Sequence, residues 1–156
     1  MSDQTTEPGG DGATDIVYSV RAFNRFYMPA MNLLGDHYLG SEYSVTAARI
    51  FYEIYANEGC NAAFIARTMR VDKSYLSRLI SRYEKNGYIE RRPSEKDGRS
   101  LRLFLTPKGR RRAEDFVRKS NDDIRTVLGE LTPEEEAELR AGLDAVTRVL
   151  TREKRR

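Results

Sequence analysis

The residues best suited to binding chemistry in this 156-residue chain lie on one predicted helix, Lys73–Lys85. A period of 3.6 residues places four apolar side chains on its inner face and short polar or cationic groups on the other. Guanidinium and hydroxyl groups can donate to base edges and phosphates, and small serines let a helix approach the major groove of DNA closely. The inner face carries Leu76, Leu79, Ile80 and Tyr83; the outer face carries Lys73, Ser74, Tyr75, Ser77, Arg78, Ser81 and Arg82.

A second cationic element follows in the sequence RRPSEKDGRSLRLFLT, residues 91–106. Alternating apolar residues predict two strands, YIERR and SLRLFLT, joined by a polar tip. Such a hairpin suits the neighbouring minor groove, which attracts inserted arginine where it is narrow. We expect the Asp97 carboxylate to brace the Arg99 guanidinium as an ion pair, with Gly98 supplying a positive φ. The predicted DNA contacts of this hairpin are Arg91, Lys96 and Arg99.

The charge distribution also indicates an anionic partner. The formal net charge is only +3, but residues 67–112 contain 15 Lys/Arg against 5 Asp/Glu, and the remainder contains 12 against 19. This asymmetry favours nucleic acid first and an anionic membrane second. A solvated surface is the alternative interpretation of the cationic block. The order of short helix, tight turn, second helix and hairpin favours double-stranded DNA.

Several classes of protein and site are disfavoured by the sequence. Cys60 is the single cysteine, so an internal disulfide is excluded. His37 is the single histidine and no Cys/His cluster exists, so we expect no metal and no cofactor. No apolar run approaches a bilayer span, and the first residues do not resemble a signal peptide, which predicts a cytoplasmic protein without a membrane partner. Cys60 precedes a predicted cap and is expected to be a small buried hydrophobe, with a redox sensor as the alternative.

Start and stop signals predict a mainly α fold with a small β-hairpin wing. Residues 1–13 lack apolar side chains and are expected to form a disordered tail. In the first helix, Pro29 is a candidate kink, with the helix resuming at Leu33 and Leu34. The predicted helix starts are Asp15, an N-cap at Thr46, an N-cap at Asn61, Thr106 followed by Pro107, and a capping box of Thr132 with Glu135.

The stretches VDKSYLSRLISRYEKNGYIERR and LTPKGR, together with the Asp97–Arg99 hairpin tip, resemble the MarR family of winged helix-turn-helix transcription regulators. The resemblance covers roughly residues 16–150. The first half is most similar to the regulator part of MarR/GNAT fusion proteins, without the acetyltransferase. The resemblance therefore implies a DNA-binding regulator and no enzyme activity. The alternatives are a remnant of such an acetyltransferase, or a protein-interaction module without specific DNA binding.

The resemblance also implies a homodimer on an inverted-repeat operator, in which a small aromatic effector releases a repressor from DNA. The MarR-type domain would span 14–156, with a winged helix-turn-helix at about 44–106 and dimerisation helices at about 14–38 and 107–152. The apolar stripe of the last helix is interpreted as part of the dimer interface. The alternative interpretation is that it packs within the core of the same chain. The implied dimer interface comprises Ile16, Val20, Leu139, Leu143, Val146 and Leu150, and the candidate ligand pocket comprises Phe23, Tyr27, His37, Phe51 and Tyr55.

Overall fold

A computed structural model describes residues 15–34 and 43–153 of the chain. The predicted tail, residues 1–13, lies outside the described residues. The observed architecture is mainly α with a two-stranded antiparallel hairpin, which confirms the predicted fold class. The elements are α1 (Ile16–Ala30), α2 (Val45–Ala56), α3 (Ala62–Met69), α4 (Lys73–Lys85), β1 (Ile89–Pro93), β2 (Leu101–Leu105), α5 (Pro107–Leu128) and α6 (Pro133–Thr151).

The hydrophobic core lies around α2. Ile50, Phe51 and Ile54 are completely buried there, against α3, α4, the hairpin and the first half of α5. The Phe51 ring packs at centroid distances of 5.1 Å from Tyr83 and 5.6 Å from Tyr88. By contrast, neither α1 nor α6 contains a buried residue. The lobe between α2 and early α5 is therefore packed by itself, and the two flanking helices keep apolar surface exposed.

Local capping chemistry positions α3 and α4. The Asn61 side chain accepts from the Phe64 amide at 2.8 Å, which confirms the predicted cap of α3. Helix α3 ends at Met69, and the left-handed φ of 53° at its C-cap, Arg70, reverses the chain. Two residues later the Asp72 carboxylate accepts from the Tyr75 amide at 2.9 Å and begins α4. A left-handed residue followed closely by a cap is what makes the helix-turn-helix turn this short.

Two boundary predictions were wrong. Helix α2 is capped by Ser44, whose hydroxyl accepts from the Ala47 amide at 3.2 Å, and the predicted cap Thr46 lies inside the helix. Ser44 has extended φ and ψ and lies early enough to satisfy a first-turn amide, so the helix begins before Thr46.

Helix α1 does not resume at Leu33 and Leu34. It ends at Ala30, with Pro29 in its last turn. The next residues form a turn in which Asn32 has a φ of 52°, a backbone conformation that cannot continue a right-handed helix.

The hairpin is attached to the loop between α2 and α3. β1 and β2 pair with Arg91 opposite Leu103. On the outer edge of β2, the Gly59 amide donates to the Leu103 carbonyl at 2.9 Å and the Leu103 amide donates to the Cys60 carbonyl at 2.8 Å. The Arg102 Nε also donates to the Gly59 carbonyl at 2.9 Å. These bonds fix the root of the hairpin to the helical lobe.

Helix α5 begins directly against the turn that follows α4, and we call this contact the α5 joint: Thr106, Lys108 and Gly109 against residues 86–88. The Thr106 hydroxyl donates to the Gly87 carbonyl at 2.6 Å and accepts from the Gly109 amide at 3.1 Å. The Lys108 ammonium donates to the Asn86 carbonyl at 3.0 Å. Gly109 is buried, and a Cβ there would overlap the Tyr88 carbonyl oxygen. Only glycine permits this close approach.

Candidate nucleic-acid interface

The seven predicted outer-face residues of α4 all lie on its exposed side. The inner residues Leu76, Leu79, Ile80 and Tyr83 are buried, as the helical period predicted. Serine side chains leave the backbone of this face accessible between longer cationic groups. Helix α4 therefore presents a convex, polar and cationic surface of the kind that a major groove accommodates.

The cations of residues 67–112 fall into two groups. One group is engaged within the fold by carboxylates, carbonyls, hydroxyls or aromatic rings: Arg91, Arg92, Arg102, Lys108, Arg110 and Arg112. The side chains of the other group have no hydrogen-bond or ion-pair partner within residues 15–34 and 43–153. Five residues of this group were predicted to contact DNA: Lys73, Arg78, Arg82, Lys96 and Arg99. The unpaired positive charge of the predicted set is thus concentrated on α4 and at the hairpin tip.

Sequence reasoning missed three further cations that are unpaired within the described residues. They contributed to the charge count but were not singled out, because side-chain pairing is invisible in a one-dimensional sequence. They are Arg67, Arg70 and Lys85.

Arg91 belongs to the predicted DNA set but contacts α4 in the structure. Its Nη2 donates to the Ser81 hydroxyl at 3.0 Å, and its Nε lies 2.8 Å from Glu84 Oε2. The Arg91 side chain is only 25% exposed. The structure therefore brings together two predicted DNA-contact residues, Arg91 and Ser81, by pairing them with each other.

The predicted ion pair at the hairpin tip is not formed. Asp97 Oδ1 accepts instead from the Arg99 backbone amide at 3.0 Å, and the Ser100 amide donates to the Asp97 carbonyl at 3.0 Å. The tip is a turn, so Asp97 and Arg99 do not share a strand face as the prediction assumed. Gly98 has no positive φ either, and its prediction was wrong for the same reason. Asp97 shapes the turn and leaves the Arg99 guanidinium unpaired.

Comparison of this sequence with known proteins identifies its family. The sequence profile of the MarR family matches residues 42–100, which contain α2, α3, α4, β1 and the hairpin tip. The HTH-type transcriptional regulator BilQ of Clostridium symbiosum (strain WAL-14163) is 31% identical over 97 residues, 61% of this chain and 67% of that protein. This chain belongs to the MarR family.

Another relative is matched over a smaller part of its length. BilQ of Clostridioides difficile (strain CD3) is 38% identical over 69 residues, 43% of this chain, so the match spans 47% of that relative. The family and these relatives are transcription regulators and not enzymes, which confirms the expectation of no enzyme activity.

Two solved structures share the MarR-type fold. Streptococcus pneumoniae FabT in complex with DNA has a TM-score of 0.66 at 24% identity, covering 86% of this chain and 94% of FabT. Bordetella bronchiseptica BpsR, whose DNA binding is regulated by 6-hydroxynicotinic acid, has a TM-score of 0.66 at 15% identity, covering 87% and 95%. At these identities the likeness supports the winged-helix fold.

The four described residues of the predicted MarR-type ligand pocket lie in different settings. Phe23 and Tyr27 stack on α1 with centroids 5.1 Å apart, whereas Phe51 is fully buried in the core. The Arg110 guanidinium lies over the Tyr55 ring, with its Cζ 5.6 Å from the ring centroid. His37 lies outside the described residues. A different cavity of about 430 Å³ opens between α2 and α5, and its lining is Leu33, Val45, Ala48, Arg49, Tyr52, Phe116, Val117, Ser120 and Asn121.

Cys60 of this MarR-type chain is partly buried beside β2. Burial raises the pKa of the thiol, a backbone hydrogen bond opposes that shift, and the nearby Glu53 carboxylate adds to it. A raised pKa keeps the thiol protonated at neutral pH, and a thiol reacts slowly compared with a thiolate. The environment therefore supports a small apolar side chain at this position.

The six residues predicted for the MarR-type dimer interface are all exposed in the single chain. Ile16 is 72% exposed on α1 and Leu150 is 68% exposed on α6. Phe23 of α1 lies with Leu139, Leu143 and Val146 of α6 around an apolar groove of about 420 Å³. The two flanking helices thus share this groove, and each keeps apolar side chains exposed.

The described part of the chain offers neither a metal cluster nor a membrane span. Within residues 15–34 and 43–153, no three His, Cys, Asp or Glu side chains are grouped so that they could hold an ion. None of the described helices has the length and apolar character needed to cross a bilayer.

Proposed function

We propose that this MarR-family chain is a sequence-specific regulator that binds double-stranded DNA as a homodimer in the cytoplasm, and that it acts as a repressor. The observation that carries the proposal is the set of cations on α4 and at the hairpin tip, none of which is paired with an acidic side chain of the described residues. The solved structure of FabT, which shares the fold, contains DNA.

Helix α4 is the recognition helix in this proposal. Its exposed serines, Ser74 and Ser77, permit close approach to base edges, and Arg78 beside them can donate two parallel bonds to guanine. The hairpin then acts as a wing. Arg99 at its tip is the residue positioned to enter the adjacent minor groove, and the Asp97 bond to the Arg99 amide holds the turn that presents it.

The exposed stripe on α1 and α6 supports the homodimer. An apolar surface of this extent on a monomer usually marks an interaction site. A two-fold dimer would present two recognition helices to successive major grooves, so the operator would be an inverted repeat.

The cavity between α2 and α5 supports an effector-responsive form of this function. Its walls are mainly apolar with Tyr52 on one side, and the Arg49 guanidinium in the lining is paired through Nε with the Glu53 carboxylate at 2.6 Å. The apolar part suits the ring of a small aromatic compound, and a carboxylate on that ring would have to share the Arg49 guanidinium with Glu53. In BpsR, a protein of this fold, a compound of that class regulates DNA binding.

Selection of bound duplexes from a random-sequence library tests the proposed function. We expect an inverted repeat with half-sites about one helical turn, roughly 10 bp, apart. Binding to random duplex should weaken steeply with salt, because released counterions drive it. A chain that binds no duplex at low salt would instead be a protein-interaction module. Repeating the assay with 6-hydroxynicotinic acid and related aromatic acids tests the effector cavity, and DNA affinity insensitive to all of them would refute that part.

Substitution of Arg78 should reveal a base contact. Arg78→Ala should weaken binding to the selected duplex by about 1–3 kcal/mol and relax the preference at one position in each half-site. Titration of duplexes carrying each base at every position would measure both effects. A uniform loss over all sequences would mean that Arg78 contacts phosphate only.

Substitutions at the wing tip should separate charge from turn geometry. Arg99→Ala should weaken binding and reduce the magnitude of the salt slope by about 0.9 for each phosphate that the guanidinium neutralised on each subunit. Asp97→Ala should also weaken binding, although less, because it removes the acceptor for the Arg99 amide and loosens the turn. Charge counting predicts the opposite sign for Asp97→Ala. Tighter binding by that variant at equal salt would disprove the role of Asp97.

A further inference from the structure

Arg91 of β1 makes polar side-chain contacts between the wing and the recognition helix. Its guanidinium contacts Ser81 through Nη2 and Glu84 through Nε, at 3.0 Å and 2.8 Å. Ser81 and Glu84 are three residues apart, so they are neighbours on one face of α4. Two contacts from a planar group define both the distance and the orientation between the strand and the helix.

This arrangement leaves Arg91 poorly placed for a phosphate. Its Nε is buried, and its contact with Glu84 is an ion pair without an aligned hydrogen bond. The Glu84 carboxylate neutralises the guanidinium charge at the surface where DNA would lie. An acid at that position opposes a nucleic-acid surface unless its structural contact outweighs the repulsion.

We infer that Arg91 and Glu84 form a positioning clamp that holds the wing in register with the recognition helix. The clamp rests on the proposed DNA binding and refines it. Specific binding needs α4 in the major groove and Arg99 in the minor groove at the same time, whereas non-specific binding follows phosphates and tolerates altered geometry. Loss of the clamp therefore weakens specific binding selectively.

Glu84→Gln tests the clamp against simple electrostatics. It makes the DNA-facing surface more positive, yet it should weaken binding to the library-selected duplex by roughly 3- to 10-fold, in the range of coupled contacting residues. Binding to a random-sequence duplex should stay equal or become slightly tighter. Glu95→Gln is the matched control, since Glu95 is an exposed wing acid without a partner among the described residues. It should tighten binding to both duplexes.

Arg91→Lys separates geometry from charge. Lysine keeps the positive charge but loses the planar fork, so the clamp predicts weaker specific binding with an unchanged salt slope. Glu84→Gln should have little further effect in an Arg91→Ala background, because either change already opens the clamp. Thermal unfolding of each variant checks that the lobe remains folded.

Two outcomes would overturn the clamp: tighter specific binding by Glu84→Gln, or additive effects of Glu84→Gln and Arg91→Ala. Full activity of Arg91→Lys combined with a reduced salt slope in Arg91→Ala would also overturn it, since that pair of results assigns Arg91 to a phosphate. Failure of the proposed function is distinct, because the unsubstituted protein would then bind neither duplex.

Discussion

Replacing Gly109 with alanine should lower the free energy of unfolding by about 3 kcal/mol or more, at the upper end of overpacking costs. The added Cβ would overlap the Tyr88 carbonyl oxygen and lie 3.3 Å from the Leu105 side chain. Because the first obstacle is backbone, no side-chain rotation can relieve the overlap. Helix α5 would have to withdraw, which would break the bonds of Thr106 and Lys108 to the turn after α4.

Chemical denaturation followed by circular dichroism measures this loss. Gly98→Ala is the matched control, because a Cβ on Gly98 meets nothing within 4 Å and its φ is not positive. The control should change stability by no more than about 0.5 kcal/mol. Equal stability of the two variants would show that the α5 joint is not closely packed.

The variant Leu143→Glu should be monomeric at concentrations where the proposed homodimer of the parent forms. Leu143 lies in the exposed apolar stripe of α6 and lines the groove beside α1. Burial of each such side chain in an interface contributes roughly 1.5–3 kcal/mol. The substitution removes that contribution and adds a carboxylate that would have to be desolvated without a partner. Size-exclusion chromatography with light scattering measures the mass.

Ala141→Glu is the control for the assembly prediction. Ala141 is exposed on the opposite side of α6, two residues from the stripe, so the same new charge stays in water. This variant should remain dimeric and bind the selected inverted repeat like the parent. A dimeric Leu143→Glu variant would show that the stripe faces something other than a second copy.

The parts of the fold that could be predicted from the sequence depend on local chemistry. The capping box of Thr132 and Glu135 and the Thr106 cap act within one helical turn, and both were confirmed. The buried face of α4 follows from periodicity alone, and it was confirmed as well. The family could also be predicted, because its motifs cluster in residues 71–110, where capping, charge and turn chemistry coincide.

The features that the sequence did not predict are contacts between distant residues and the backbone conformation of the hairpin tip. The pairing of Arg91 with Glu84 depends on the packing of a strand against a helix, so charge counting could not show it, and the DNA contact of Arg91 stays a prediction. The Asp97 brace assumed strand geometry where the chain forms a turn. Phe51 was assigned to a pocket but is fully buried in the core. The sequence pattern of an amphipathic helix shows that an aromatic side chain faces inward, but it does not distinguish a ligand cavity from the core.

The α5 joint ties the direction of α5 to that of α4, the recognition helix of the proposed function. The residues that begin α5 hold three carbonyls that follow α4: those of Asn86, Gly87 and Tyr88. Helix α5 has 22 residues and is about 33 Å long. When such a helix tilts as a rigid rod, a small displacement of its far end also rotates its near end, which lies at the α5 joint. In a two-fold assembly, the span between the two α4 helices is then set by the angle between the two α5 helices. The half-site spacing of an operator would therefore depend on the angle between the two α5 helices, although these helices contact no base.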